Sequence, residues 1–305
     1  MNRRWLTFLL PGLLAAVAAG CATPPLVGTL PQATPGPSAC AEVSTRFAVI
    51  GDYGDASQPE ADVAALVASW SPDFVVTAGD NNYPLGEART IDANIGQFYH
   101  AFIAPYGGAY GLGSSENRFF PALGNHDWYS NAAAAYFDYF TLPGNERYYD
   151  LVRGPVHLFV LDSDSNEPDG IDVDSVQAAW LRDRLAASQT PWQIVLLHHP
   201  PYTSSERGPA GALRWPFAAW GADVVMAGHD HTYERLEVEG IPYLVNGLGG
   251  RSIYEFSTPV AESRLRFNGD YGALLAEAGA DCLSLRFYTR TGAPVDELVL
   301  TGTSS

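Results

Sequence analysis

An apolar run that ends in a glycine and an aspartate, RFAVIGDYG at residues 46–54, sets the pattern for the rest of the chain. Residues 47–50 predict a buried strand, and the capping box that follows, with Ser57 as N-cap and Glu60 three residues later, predicts a helix. Further strands are predicted at residues 74–77, 156–161, 194–197 and 223–226, and a further helix at residues 174–185 with Val176, Trp180, Leu181 and Leu185 directed inward. Strands that alternate with helices predict an α/β domain.

A polar cluster follows each of five apolar, strand-like runs. The clusters lie at residues 51–54, 79–83, 124–127, 198–200 and 228–231. In α/β sheets, ligands bind beyond the carboxyl ends of the strands, so we expect the five clusters to converge on one site. Two long segments, residues 84–118 and 162–172, are rich in Gly or Asp and are predicted to be loops at its mouth.

The residue types in these clusters indicate a metal site. Five of the seven histidines, at positions 126, 198, 199, 229 and 231, fall inside them, and we assign His100 and His157 to structural roles. The clusters also hold Asp, Asn and Tyr but no Cys. Oxygen and imidazole ligands suit Fe, Zn or Mn and do not suit soft-metal thiolate sites.

Taken together and in this order, the clusters closely resemble the motifs of the calcineurin-like metallophosphoesterases and, within them, of the purple acid phosphatases. The motifs are Gly-Asp-x-Gly at 51–54, Gly-Asp-x-x-Tyr at 79–83, Gly-Asn-His-Asp at 124–127, Val-x-x-His at 195–198 and Gly-His-x-His at 228–231. Tyr83 is typical of the purple acid phosphatases, and the compact length resembles their small, tartrate-resistant branch. The resemblance implies a four-layer α-β-β-α sandwich of two mixed sheets, with a binuclear metal site at the C-terminal ends of strands.

The resemblance also implies a ligand set. One metal would take Asp52, Tyr83, His231 and the bridging Asp80, and the other would share Asp80 and take Asn125, His198 and His229. The metal on Tyr83 would be Fe(III), and its partner Fe(II), Zn(II) or Mn(II). His126 would lie outside the metal shell, contact the substrate and help to protonate the leaving group.

Two positions depart from the small branch. Arg207 stands where that branch has a histidine just outside the metal ligands, and it would either bind the substrate phosphate or be a solvated loop residue. His199 stands where the branch often has Tyr, and it would either line the substrate pocket or simply pack. We interpret residues 246–250, Asn-Gly-Leu-Gly-Gly, as a plain turn rather than the floor of the site.

The implied activity is hydrolysis of small phosphate monoesters, as in an acid phosphatase, by in-line attack of a metal-activated hydroxide. Two metal ions about 3.5–4 Å apart can activate water and stabilise both the attacking and the leaving oxygen. A phosphodiesterase or nucleotide hydrolase of the same superfamily is the nearest alternative. A non-enzymatic surface lipoprotein is a second alternative, and it would predict altered metal ligands.

The charge of the chain argues against several partners. Arg and Lys number 17 against 34 Asp and Glu, for a formal net charge of −17, and none of the basic residues is a lysine. Such a chain lacks the basic surface that binds nucleic acid or anionic lipid. Hydrophobic residues make up 47% of the sequence, which argues against disorder.

The first 20 residues are typical of an export signal. The sequence that ends them, Ala-Ala-Gly-Cys at 18–21, resembles the lipobox of bacterial lipoproteins, which implies a lipidated Cys21 in the cell envelope, on the outer membrane if the cell is Gram-negative. Membrane contact would then be through this lipid only; an ordinary cleaved signal and secretion are the alternative. Residues 21–45 predict a Pro-rich tether, and residues 46–305 the catalytic domain. In an oxidising compartment Cys40 and Cys282 would either pair or remain two buried thiols.

Overall fold

The structure, a computed structural model, describes residues 36–302. The predicted signal peptide at residues 1–20, the lipidation site at Cys21 and the first part of the predicted tether lie outside the described residues. Within residues 36–302 no helix has the length and apolar character needed to cross a bilayer.

Within the described residues, thirteen strands form two sheets. They are β1 (Thr45–Ile50), β2 (Phe74–Thr77), β3 (Phe119–Pro121), β4 (Tyr149–Arg153), β5 (Val156–Val160), β6 (Trp192–Leu196), β7 (Val224–Ala227), β8 (Tyr233–Val238), β9 (Ile241–Asn246), β10 (Ser263–Phe267), β11 (Gly272–Ala278), β12 (Cys282–Thr289) and β13 (Pro294–Thr301). The first sheet has the order β13-β12-β11-β1-β2-β3 and the second the order β10-β8-β9-β7-β6-β5-β4. Both sheets are mixed, because β1, β2 and β3 are parallel in one and β5, β6, β7 and β9 in the other, while the remaining pairs are antiparallel.

The helices are mostly short. They are α1 (Gln58–Ser69), α2 (Ala88–Ile91), α3 (Gln97–Tyr99), α4 (Asn125–Trp128), α5 (Ala134–Tyr139), α6 (Val176–Ala187) and α7 (Phe217–Trp220). A π-helical turn, Asp92–Gly96, joins α2 to α3, and 3₁₀ turns occur at His100–Phe102, Asn131–Ala133 and Gly211–Leu213. As predicted, Ser57 caps α1, where its hydroxyl accepts a hydrogen bond from the amide of Glu60.

The two faces of the second sheet pack into two different hydrophobic clusters. Leu158 and Val160 of β5 join the large cluster that also contains the strands of the first sheet. Phe159, between them, faces the other way and packs with Leu181 and Leu185 of α6. Because successive side chains of a strand point to opposite faces, the second sheet is covered by the first sheet on one side and by helix on the other. With α1 packed against β11 of the first sheet, this is the predicted four-layer fold.

The predicted strands agree with the structure within two residues at each end, but two predictions about helices are wrong. Val176 is the first residue of α6 and is 62% exposed, and Gln177 is buried instead. The Gln177 amide bonds to both the N–H and the C=O of Asp162, so a polar side chain takes the inward position. The segment 84–118 is not a continuous loop, since it contains α2, α3 and the turns between and after them.

The described part of the predicted tether is attached to the first sheet. Cys40 is buried and forms a disulfide with Cys282 at the start of β12, with an S–S distance of 2.04 Å. Arg286 of the same strand donates hydrogen bonds to the carbonyl oxygens of Gly36 and Pro37. The packed part of the chain therefore begins before residue 46, where we placed the start of the domain.

Candidate metal centre

Polar residues from both sheets meet at one edge of the sandwich. Asp52 follows β1, Asp80 and Tyr83 follow β2, Asn125 opens α4 after β3, His198 follows β6, and His229 and His231 follow β7. Each of these five strands is parallel to a neighbour in its sheet, so their carboxyl ends lie at the same edge. The structure thus brings all seven predicted metal ligands together.

One group of ligand atoms surrounds the hydroxyl of Tyr83. It lies 2.8 Å from Asp80 Oδ2, 3.1 Å from His231 Nε2 and 3.2 Å from Asp52 Oδ1. His231 Nε2 is also 3.3 Å from Asp52 Oδ1. All four side chains are almost fully buried. They match the four ligands predicted for the metal on Tyr83.

A second group of ligand atoms lies around the amide of Asn125. Its Oδ1 is 3.1 Å from His198 Nε2 and 3.1 Å from His229 Nδ1, and the two imidazole nitrogens are 3.2 Å apart. Asp80 joins this group as well, because its Oδ1 is 3.4 Å from His198 Nε2. The two oxygens of Asp80 therefore face different groups, as expected of a carboxylate shared by two ions.

The hydrogen bonds of the second group fit a cation at its centre. His198 Nδ1 is 2.7 Å from the carbonyl oxygen of Ala78, so this nitrogen carries the proton and Nε2 presents a lone pair. That lone pair points at two further acceptors, the oxygens of Asn125 and Asp80. Three acceptors that converge without a hydrogen between them repel one another, and a metal ion removes the repulsion. The ligand types, imidazole nitrogen with amide and carboxylate oxygen, suit Fe, Zn or Mn.

Burial shifts the pKa of several side chains at the centre toward their uncharged forms. Burial, together with the neighbouring Asp80, raises the pKa of Asp52 well above its usual value. Burial and the carboxylates of Asp80 and Asp52 also raise the pKa of Tyr83. Burial lowers the pKa of His198 and His231, which leaves both imidazoles neutral, the form that binds metal. Without a cation, the centre disfavours the charges that its carboxylates and phenol would carry.

The backbone at the centre is held in an unusual conformation. Asp52, Asp80 and His229 have φ angles of 54°, 55° and 69°, in the left-handed region that non-glycine residues rarely adopt. Such conformations occur where the surrounding structure fixes a functional side chain. Gly79, with φ of 88°, leaves no room for a side chain, since a Cβ there would lie 2.6 Å from His198 Nδ1.

His126 lies beside the centre, outside both groups, and its side chain is partly exposed. Its ring is 4.3 Å from the ring of Tyr83, and its Nε2 is 3.9 Å from Asp80 Oδ2. Its Nδ1 donates to the carbonyl oxygen of Pro84 at 2.6 Å. The nitrogen free to exchange a proton with a substrate is therefore Nε2.

His199 lies beside the second group, with its ring 4.5 Å from that of His229. The hydroxyl of Ser163 accepts hydrogen bonds from the backbone amides of His198 and His199, and is 3.0 Å from His199 Nδ1. The single proton of this hydroxyl is thus donated to Nδ1, so Nε2 of the neutral ring carries the hydrogen. His199 is held as a hydrogen-bond donor beside the centre.

Arg207 lies on the other side of the centre. It donates to the hydroxyl of Tyr254 at 3.0 Å and stacks over that ring. The Tyr254 ring in turn lies flat on His231, with the ring centroids 4.0 Å apart. Arg207 is therefore connected to the centre through Tyr254.

The segment at the end of β9, residues 246–250, is more than the plain turn that we predicted. A Cβ at Gly247 would lie 2.8 Å from the carboxylate of Asp52, so the segment does form part of the floor of the centre. Arg251 donates its amide hydrogen to the carbonyl oxygen of Asp52, and Ser252 Oγ is 2.6 Å from His231 Nδ1. Because β9 is parallel to β7, the expectation that site residues follow the carboxyl ends of strands would have identified this segment. The same expectation, applied to β5, would have identified Ser163.

Comparison with known proteins agrees with this geometry. Residues 45–233 match the family model for the calcineurin-like phosphoesterases. The chain is 28% identical over 243 residues to tartrate-resistant acid phosphatase type 5 of Rattus norvegicus, an alignment that covers 67% of this chain and 72% of that protein.

Two solved structures share the fold, each with a TM-score of 0.67. A purple acid phosphatase from seeds of Lupinus luteus is 18% identical, and the match covers 88% of this chain and 55% of that one. GAP50, described as the anchor in the inner membrane complex of Plasmodium, is 17% identical, and the match covers 87% of this chain and 90% of that one. Since the same fold occurs in a phosphatase and in a protein described as an anchor, function has to be argued from the residues of the centre. The family model matches more than half of the chain, with all five predicted clusters inside or at its bounds, and the protein belongs to the calcineurin-like phosphoesterase family.

Proposed function

We propose that this protein is a metal-dependent phosphatase that hydrolyses small phosphate monoesters. The observation that carries the proposal is the pair of ligand groups that share Asp80, one around Tyr83 and one around Asn125. The homologues are acid phosphatases of the purple acid phosphatase type, which supports the same reaction.

The metals are part of the proposal. We assign Fe(III) to the group with Asp52, Tyr83 and His231, since phenolate and carboxylate oxygens suit a hard ion, and a divalent Fe, Zn or Mn to the group with Asn125 and His198. Such a pair, when bound, supplies Lewis acidity and activates water for attack on phosphorus.

The chain itself supplies the remaining steps. His126, whose Nδ1 is bonded to Pro84, presents Nε2 to the leaving oxygen and gives it a proton. His199 donates an N–H, and Arg207 provides a cationic donor that does not titrate near neutral pH, and we assign both to hold the phosphate oxygens. Together these groups would orient the ester for in-line displacement.

The test uses the purified protein reconstituted with iron and zinc. We expect two metal ions per chain and hydrolysis of 4-nitrophenyl phosphate at a higher rate than bis(4-nitrophenyl) phosphate. Fewer than one ion per chain with no hydrolysis would reject an enzymatic role and favour the non-enzymatic alternative. A faster reaction with the diester would reassign the protein as a phosphodiesterase.

We further propose that the protein is exported and attached to the cell envelope through a lipid on Cys21. Support comes from the export signal and the lipobox-like sequence at residues 18–21. The Cys40–Cys282 disulfide also supports an oxidising compartment. Cys21→Ser is expected to move the full-length protein from the membrane fraction to the soluble fraction; an unchanged distribution would reject the lipid anchor.

A further inference from the structure

A positive charge lies over the ring of Tyr83. The guanidinium carbon of Arg251 is 5.1 Å from the ring centroid, within the range of about 6 Å in which a cation is attracted to an aromatic ring. His126 also packs on this ring, with its own ring centroid 4.3 Å away. None of the sequence motifs includes Arg251.

Arg251 is fixed at both ends. Its backbone amide donates to the carbonyl oxygen of Asp52, and its Nη1 donates to Asp55 Oδ2 at 2.9 Å. Asp55 is itself anchored, because its amide donates to the buried carboxylate of Glu60. The guanidinium is thus held against Tyr83 by two contacts that do not involve the ring.

We propose that Arg251 is a positioning residue that tunes Tyr83 as an iron ligand. This rests on the proposed function, in which Tyr83 binds Fe(III). A fixed positive charge over the ring stabilises the electrons of the phenolate, which makes the phenolate a weaker donor. The iron then keeps more of its Lewis acidity for the substrate.

The colour of the iron-loaded protein reports this effect directly. The visible band of an Fe(III)–phenolate site arises from transfer of an electron from the phenolate to the iron. Arg251 contacts the ring, whereas the iron would lie beyond the phenolate oxygen, so the charge stabilises the donor more than the acceptor. Removing the charge should lower the transition energy and move the band to longer wavelength.

The experiment compares full-length variants loaded with Fe(III) and Zn(II). Arg251→Gln is expected to shift the band to longer wavelength and to lower the Fe(III)/Fe(II) midpoint potential, because loss of a nearby positive charge favours the more highly charged ion. Arg251→Lys keeps the charge and should shift the band less. Arg251→Met also removes the charge and should shift the band in the same direction, which provides a second test if Arg251→Gln does not fold.

Arg290→Gln is the matched control, because the Arg290 guanidinium lies over a different tyrosine, Tyr271, 5.3 Å from its ring centroid. Its band should stay at the wild-type wavelength. A folded Arg251→Gln protein with the wild-type band and potential would overturn the inference and leave the proposed function intact. A wild-type protein that binds Fe(III) without a visible band would reject Tyr83 as an iron ligand, and with it this inference, whereas the phosphatase activity is tested separately by metal content and hydrolysis.

Discussion

The hydroxyl of Tyr83 donates a hydrogen bond of 2.8 Å to one oxygen of Asp80, and both side chains are almost completely buried. The other oxygen of Asp80 lies 3.4 Å from His198 Nε2. Tyr83 and His198 belong to different ligand groups; Tyr83 follows a strand of the first sheet and His198 a strand of the second. Asp80 is therefore the residue through which the two halves of the centre are connected.

Substitution of Asp80 should affect both metal sites at once. We expect Asp80→Asn to lower the affinity for both ions and to reduce kcat/KM by more than about 100-fold, since changes outside the first ligand shell already cost about 10–100-fold. Metal content measured by mass spectrometry, together with hydrolysis of 4-nitrophenyl phosphate, checks this. Asp183→Asn makes the same chemical change on the exposed face of α6 and should leave both values as in the wild type. Loss of one ion only would show that Asp80 is not shared.

His126 should matter most for substrates with poor leaving groups. We expect His126→Ala to lower kcat by about 10²–10⁴-fold for an alkyl phosphate such as glycerol phosphate, because Nε2 no longer protonates the departing alkoxide. The loss should be smaller for 4-nitrophenyl phosphate, whose phenolate leaves without a proton. His100→Ala, which removes a histidine bonded only to the carbonyl oxygen of Gly96, should change both rates equally or not at all. An equal loss for both substrates in His126→Ala would exclude His126 as the proton donor.

Tyr129 should support the metal on Asn125. The Asn125 amide donates its Nδ2 hydrogen to the hydroxyl of Tyr129 at 2.6 Å, which turns Oδ1 toward His198 and His229. Tyr129→Phe removes this partner, and we expect about tenfold weaker binding of the divalent ion, measured by competition with a chelator. The visible band of the other ion should not change. Tyr110→Phe alters another exposed tyrosine and is the control; equal affinity in both variants would contradict the role of Tyr129.

Much of this centre could be predicted because each ligand follows a strand whose apolar run is visible in the sequence. We did not predict three further residues of the centre, although they also follow apolar strands. Arg251 and Ser252 follow β9, and Ser163 follows β5, yet none of them belongs to a recognisable motif. The roles of these three residues depend on which strands are neighbours. The sequences of β7 and β9 do not indicate that the two strands lie side by side in the sheet.

The spacing of apolar residues also did not predict all the buried positions of the helices. The prediction for α6 directed Val176 inward because it is apolar, but it lies in the first, uncovered turn of the helix. Gln177 is buried because its amide satisfies the backbone of Asp162, which lies 15 residues earlier, just after β5, so the contact depends on how the helix packs against that strand. In the segment 84–118, Ile91, Ile95 and Tyr99 are buried at helical spacing, a signal that could have found the helical turns there.

The stability of the first sheet should depend on pH through Glu277. Glu277 of β11 accepts hydrogen bonds from Arg46 and Arg286, and its side chain is almost fully buried. Burial alone would raise its pKa, but the hydrogen bonds from Arg46 and the charge of Arg286 hold the pKa of Glu277 below its usual value. A carboxyl whose pKa is lowered by folding stabilises the protein fully above its unfolded pKa, about 4.3 for Glu, and loses this contribution as the pH falls through the folded value.

Glu277→Gln should therefore destabilise the protein most at neutral pH. We expect a loss of about 3–5 kcal/mol in the free energy of unfolding at pH 7, because Arg286 is left buried without its ionic partner. As the pH falls below about 4, the wild type loses the same interaction and the difference between the two proteins should shrink. Urea unfolding of both proteins, metal-free and with the disulfide intact, measures it. The exposed pair of Glu237 and Arg264 offers a matched control, and Glu237→Gln should cost no more than about 1 kcal/mol at any pH. If the difference for Glu277→Gln stayed constant between pH 7 and pH 3, the ionised form of Glu277 would not be what stabilises the first sheet.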